Sequence, residues 1–109
     1  METLLLFQQF NNTASDLVDE AITKLQYWNG KFKARGMKPK PEEIEAEYTA
    51  ILRNLMKSMR QITQKTLAGN ENQELAARLR RESQKYIKKY MDECSPNSAN
   101  HNNEAFDLD

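Results

Sequence analysis

The sequence predicts an all-α fold: a three-helix bundle, with a long helix 1 and then two antiparallel helices, followed by a disordered C-terminal tail. Apolar residues recur at steps of three and four over three long segments, which is the spacing of one helix face. Turn-forming residues separate these segments, and no segment alternates like a strand. A chain of 109 residues fits one small domain. We expect that domain to span residues 1–94.

One apolar stripe predicts a long first helix. It consists of Phe7, Phe10, Ala14, Leu17, Ala21, Leu25, Trp28 and Phe32. The polar residues 11–16 have poor helix propensity, so residues 2–10 could form a separate helix. We favour a single helix because the stripe keeps its phase across the polar stretch. Gly36 and the prolines that follow it end this helix.

The second helix is predicted from Pro41 to about Leu67. Proline suits the first helical turn, and the acidic residues that follow it complement the positive end of the helix dipole. Gly69 is placed for the C′ position, where a left-handed backbone ends many helices. The apolar stripe of this helix is Ile44, Tyr48, Ile51, Leu55, Met59, Ile62 and Thr66.

The third helix is predicted to start after Asn70, which can cap it with Gln73 as the capping-box partner. Its stripe is Leu75, Leu79, Ser83, Tyr86, Tyr90 and Cys94. Residues 95–109 are polar, rich in asparagine and without a pattern. Such a composition cannot bury enough apolar surface to fold, so we expect a disordered tail.

The charges of this chain are segregated, although its formal net charge is zero. All sixteen basic residues lie between Lys24 and Lys89, together with only seven acidic residues, which leaves this region with a net charge of +9. The balancing acidic residues lie towards the two ends. Regional charge is therefore a better guide to partners than the total.

Two basic stripes are the candidate binding surface. In helix 2, Arg53, Lys57 and Arg60 stand two residues out of phase with the apolar stripe, about 200° around the helix. A second basic stripe runs along helix 3, and Arg80 lies on an adjacent face. The candidate nucleic-acid-binding residues are Arg53, Lys57, Arg60, Lys65, Arg78, Arg81, Lys85, Lys88 and Lys89.

These stripes favour a phosphate backbone as the partner. From Arg53 to Lys89 there are ten basic and three acidic residues, whereas a surface that only keeps a protein soluble mixes both signs. Phosphate contacts position a protein without reading bases, so we expect sequence-independent binding of single-stranded RNA or DNA. The alternatives are a solvated surface without a partner, an acidic protein partner and a membrane surface. The tyrosines at 27, 48, 86 and 90 could stack on bases, but their spacing favours core packing.

Several other classes of function are not expected. The chain has one cysteine, Cys94, and one histidine, His101, which cannot form an ordinary zinc site or a held nucleophile and base. We therefore expect no enzyme activity, no metal, no cofactor and no small-molecule substrate. No apolar run suits a signal peptide or a membrane helix, and the single cysteine is typical of a reducing compartment. We expect a cytoplasmic protein without a membrane partner.

In size, helices and basic exterior, residues 1–94 resemble the small subunits of CRISPR interference complexes. Those subunits are helical bundles that bind one another side by side and contact guide RNA, target strand or displaced strand. The resemblance implies an assembly subunit in antiviral defence, without nuclease activity, whose two basic stripes contact the nucleic acid. It also implies that exposed apolar residues off the main stripe, for which we expect Leu5, Val18 and Ile22, contact neighbouring copies.

A protein-interaction adaptor or regulator is the alternative function. The C-terminal sequence EAFDLD places Phe106 and Leu108 among acidic residues. Short peptides of this kind dock into partner grooves, although such a tail can also lack a partner. On this hypothesis the helices and the tail bind proteins and not nucleic acid.

Overall fold

The computed structural model describes residues 2–69 and 72–95, with side chains from residue 4 onward. It contains α1 (Glu2–Ala34), α2 (Pro41–Leu67) and α3 (Gln73–Cys94), and no strand occurs in these ranges. The predicted all-α, three-helix fold is confirmed. Residues 96–109 of the predicted tail lie outside the described residues. Ser95 caps the end of α3 and is buried.

α1 is a single helix of 33 residues, as the continuous stripe predicted. The polar residues 11–16 stay helical because the bundle holds them. Ala14 is completely buried, and the Asn11 side-chain oxygen accepts a hydrogen bond of 3.1 Å from the Tyr86 hydroxyl on α3. Tertiary contacts therefore outweigh the weak local propensity.

Gly36 ends α1 with a left-handed backbone, at a φ of +69°. Its N–H donates to the Lys33 carbonyl at 3.0 Å, and the Met37 N–H donates to the Phe32 carbonyl at 2.9 Å. These two bonds form a Schellman motif, which satisfies the last carbonyls of the helix. α2 then begins at Pro41, where the Glu43 carboxylate accepts a bond of 2.8 Å from the Lys40 N–H. The corner between α1 and α2 is thus closed by hydrogen bonds on both sides.

The start of α3 corrects one prediction. The N-cap is Asn72, whose side-chain oxygen accepts bonds from the N–H groups of Glu74 at 2.8 Å and Leu75 at 3.2 Å. Asn70, the predicted cap, lies outside the described residues, and Gln73 is the first residue of the helix. The two asparagines are two residues apart, and Asn72 is the one that satisfies the first turn. Gly69 has a φ of +77°, as expected for the C′ position of α2.

The three helices pack in an up–down–up arrangement. Tyr90 near the end of α3 contacts Tyr48 near the start of α2, so α2 and α3 are antiparallel. The Thr63 and Ser83 hydroxyls, 3.4 Å apart, join the middle parts of the same two helices. Each helix contacts both of the others, and the apolar core therefore lies along a common axis.

The core comprises the predicted stripes and a few residues beside them. Its buried members are Phe10, Ala14, Val18, Ala21, Leu25, Tyr48, Ile51, Leu55, Met59, Leu75, Leu79, Tyr90 and Met91. The expectation that Val18 is exposed is wrong, since it is completely buried. Ile22 is half-buried against the core, and Leu5 is exposed, as expected. α1 has helices on two sides, so its buried surface is wider than one stripe.

A pair of tyrosines closes the end of the bundle where α3 finishes. The Tyr48 and Tyr90 rings stack with centroids 5.2 Å apart, and the Tyr90 hydroxyl donates to the Tyr48 carbonyl at 2.9 Å. Burial raises the pKa of both phenols above their ordinary value of 10.0. The folded state therefore holds protons that the unfolded chain releases above about pH 10. The stability that these two phenols contribute is fully present below that pH and is lost as the pH rises further.

We expect Tyr90→Phe to lower the free energy of unfolding by about 1 kcal/mol at neutral pH, because a buried hydrogen bond is lost. It should also make the fall of stability above about pH 10 shallower, since one buried phenol no longer titrates. Urea unfolding between about pH 8 and pH 11 measures both effects. Tyr27→Phe, which alters an exposed phenol, is the control and should change neither. An unchanged alkaline slope in Tyr90→Phe would contradict this explanation.

Candidate nucleic-acid interface

All nine predicted binding residues are exposed on α2 and α3. Two of them pair with acidic residues on their own helix: Lys85 with Glu82 at 3.2 Å, and Lys88 with Asp92 at 3.1 Å. Within residues 2–69 and 72–95 the other seven form no ion pair. Exposed pairs of this kind contribute little stability, so most of this charge is not used to hold the fold.

Between α2 and α3 runs a groove of about 320 Å³ that carries arginine on both sides. Its apolar part is formed by Met56, Met59 and Ile87, and its polar part by Arg60, Thr63, Gln64, Arg80, Ser83 and Gln84. Within residues 2–69 and 72–95, no acidic residue lines it. The groove thus presents two guanidinium groups and two amides, all of which can donate hydrogen bonds to a phosphate.

Arg80 is the residue that the stripe pattern missed. The helical spacing predicts that Arg80 lies on a face adjacent to the basic stripe, but in the structure it lines the groove opposite Arg60. Arg80, Gln84 and Ile87 follow at steps of four and three, which places them on one flank of α3. That flank contains Ile87, which packs against the core. The mixture of apolar and basic residues at this spacing is the sequence signal that could have identified Arg80 as a groove residue.

The predicted basic stripe of α3 does not form one continuous surface with the basic stripe of α2. The Arg78 guanidinium lies over the Phe7 ring of α1, 4.4 Å from the centroid. Lys85 is one residue from Tyr86, which also reaches α1 through its bond to Asn11. This part of the stripe therefore borders the seam between α1 and α3. The bundle presents basic residues on more than one side.

Lys65 and Arg53 stand apart from the groove. Lys65 lines a depression between α1 and α2 with Leu6 and Gln9. It follows Arg60 by five residues, about 140° around the helix. Arg53 borders a shallow area on the outer side of α2 that also contains Glu42 and Glu45. Of the predicted α2 residues, Arg60 alone lines the groove.

The tyrosines divide into three environments. Tyr48 and Tyr90 are buried, as predicted. Tyr86 is half-buried, and burial raises the pKa of its phenol. The prediction of core packing is wrong for Tyr27, which is 68% exposed. Tyr27 lies between the stripe residues Leu25 and Trp28, which places it off the stripe.

Other chemistry has little support in the described part of the chain. No group of three histidine, cysteine or carboxylate side chains that could hold a metal occurs there. Cys94 is half-buried, and burial raises the pKa of its thiol, which disfavours the reactive thiolate. His101 lies outside the described residues. None of the three helices has the length and apolarity that crossing a membrane requires.

No family model, curated protein or solved structure matches this chain. Its functional assignment therefore depends on the geometry and charge of its own surface.

Proposed function

We propose that this chain is a non-catalytic helical subunit of a nucleoprotein complex that binds a nucleic-acid backbone without reading its sequence. The observation that supports this proposal is the α2–α3 groove, which is lined by Arg60 and Arg80 and by no acidic residue of the part of the chain that the structure describes. Lys57 and Arg81, each three residues from a groove residue on the same helix, extend the contact along the strand. Guide RNA and displaced or target DNA are both strands of the required kind.

The donors of the groove suit a phosphate oxygen. Arginine binds phosphate through two parallel N–H groups, and the Gln64 and Gln84 amides can add single bonds. The Thr63 hydroxyl is already used within α2, where it donates to the Met59 carbonyl at 2.8 Å. The guanidinium and amide groups are therefore the donors that the groove offers to a phosphate.

The charge around the groove strengthens this interpretation. Lys57 and Arg81, each three residues from a groove residue on the same helix, are exposed and form no ion pair within the described residues. Unpaired cations repel one another, and a polyanion relieves the repulsion and releases its own counterions on binding. A backbone strand that follows the groove would be near both of them.

A small subunit of a CRISPR effector complex is the specific form of this proposal. It would place the chain in the cytoplasm among copies of itself and other subunits. The exposed Leu4 and Leu5, which are 60% and 54% exposed, are candidates for contacts with such neighbours.

A protein-interaction adaptor is the second candidate, and the floor of the same groove favours it. Met56, 39% exposed, and Ile87 offer apolar contacts of the kind that peptide ligands use. The EAFDLD peptide, which lies outside the described residues, would be a further docking element. Binding to protein through apolar contacts should survive high salt, whereas backbone binding should not.

The test is fluorescence anisotropy of labelled single-stranded DNA, single-stranded RNA and duplex over about 50 to 300 mM salt. We expect a log–log slope of roughly −3 to −5 on single strands, which corresponds to about four to seven phosphates at ~0.7 per contact. Scrambling the oligonucleotide sequence is the control and should change the affinity little. Absence of binding at low salt would contradict the proposal and favour the adaptor.

A further inference from the structure

The corner between α1 and α2 carries a second unassigned basic surface. We define the corner as residues 24–40, which contain no acidic residue. Its six basic residues are Lys24, Lys31, Lys33, Arg35, Lys38 and Lys40, all of them exposed. None of the six has an ion pair within the described residues. The nearest acidic residues in sequence are Glu20 before the corner and Glu42 after it.

Tyr27 gives this basic surface an exposed aromatic ring. Its side chain is 68% exposed, the highest value among the large apolar residues with exposed side chains. The Lys31 ammonium lies 5.0 Å from the ring centroid. Lys24, Tyr27 and Lys31 are separated by three and four residues, so they share one face of α1. Exposed aromatic rings beside positive charge are a combination with which proteins hold single-stranded nucleic acid.

The corner is also well fixed, which lowers the entropic cost of binding. The backbone bonds around Gly36 and the Glu43 cap of α2 close it on both sides. Trp28 and Phe32 pack edge to face with centroids 4.8 Å apart, and Trp28 contacts the core. They therefore hold this end of α1 in place, while Tyr27 remains available to a ligand.

We infer that the corner is a second binding site for single-stranded nucleic acid, in which a base stacks on Tyr27 while Lys24 and Lys31, on the same face of α1, contact phosphates. This inference extends the proposed function to a new site, and it uses none of the groove residues. Lys24 to Arg35 covers about 16 Å of helix, which matches about five phosphates at the ~3.4 Å spacing of a stacked strand.

An anionic membrane surface is the other polyanion to consider, and the apolar residues argue against it. A membrane-bound helix buries a broad apolar face in the interface. In the corner the exposed large apolar side chains of the described residues are Tyr27 and Met37, while Trp28 and Phe32 are only partly exposed. One exposed ring suits a stacked base better than a lipid interface.

The experiment uses the full chain and the single tryptophan, Trp28, as a reporter beside Tyr27. Emission is followed while oligothymidine of about 15 nucleotides, or an abasic strand of the same length, is added. We expect the wild type to bind oligothymidine more tightly than the abasic strand. Tyr27→Ala should weaken oligothymidine binding about tenfold and remove this preference, because stacking is lost. Tyr27→Phe keeps the ring and should bind like the wild type.

Three results would overturn the inference: unchanged oligothymidine binding in Tyr27→Ala, equal wild-type affinity for the two strands, or binding to phosphatidylserine vesicles but not to oligothymidine. A parallel anisotropy titration with labelled oligothymidine, which registers binding at either site, compares Arg60→Glu/Arg80→Glu with Tyr27→Ala and separates the two sites. If only the groove binds, this variant loses affinity and Tyr27→Ala does not. If only the corner binds, the opposite holds and the groove proposal fails alone.

Discussion

Replacing Leu79 with alanine should lower the free energy of unfolding by about 3 kcal/mol, because it leaves a cavity in a packed core. Leu79 is completely buried in the middle of the bundle. For a domain of this size the loss corresponds to a fall of roughly 15 °C in Tm. Calorimetry or thermal circular dichroism measures it directly.

The control for Leu79→Ala is Leu5→Ala, the same chemical change at a side chain that is 54% exposed. It should cost no more than about 0.5 kcal/mol, as surface substitutions do. Equal losses in the two variants would mean that the core does not lie where the three helices meet.

Reversing the two groove arginines, in Arg60→Glu/Arg80→Glu, should weaken binding of single-stranded nucleic acid more than tenfold at low salt. Two phosphate contacts are lost and two repulsive charges are introduced. The helices should remain folded, because both side chains are exposed and neither forms an ion pair within the described residues. Circular dichroism checks the fold, and anisotropy measures the affinity.

Lys65→Glu/Lys89→Glu is the matched control for the groove variant. It makes the same change in net charge at two exposed residues outside the groove. Long-range attraction alone would weaken both variants equally. We expect the control to lose less than about threefold in affinity, since it keeps both groove contacts. A control that loses as much as the groove variant would count against the groove.

The helices of this protein could be predicted because their apolar stripes are long and regular. The regular spacing of the apolar residues in α1 predicts one continuous helix, even across the polar residues 11–16. Pro41 and Gly69 mark the two ends of α2. The cap of α3 was harder, since Asn70 and Asn72 both offer a capping oxygen. Only the start of the helix at Gln73 decides between them.

The binding surface could be predicted less well, for a physical reason. Helical spacing shows that a residue points away from its own apolar stripe, but not which neighbouring helix borders it. Arg78 therefore shared a stripe with Lys88 in the sequence, although it lies against Phe7 of α1. Arg80 lay off the stripe, yet it lines the groove with Arg60. The packing of three helices decides these positions.

The most direct measurement of the central claim is the salt dependence of single-strand binding by Arg60→Glu/Arg80→Glu, compared with the wild type. At ~0.7 per phosphate contact, loss of two contacts should make the log–log slope shallower by about 1.4. The Lys65→Glu/Lys89→Glu slope should stay close to that of the wild type. If the slope of the groove variant is unchanged while that of the control becomes shallower, the nucleic-acid backbone does not lie in the α2–α3 groove.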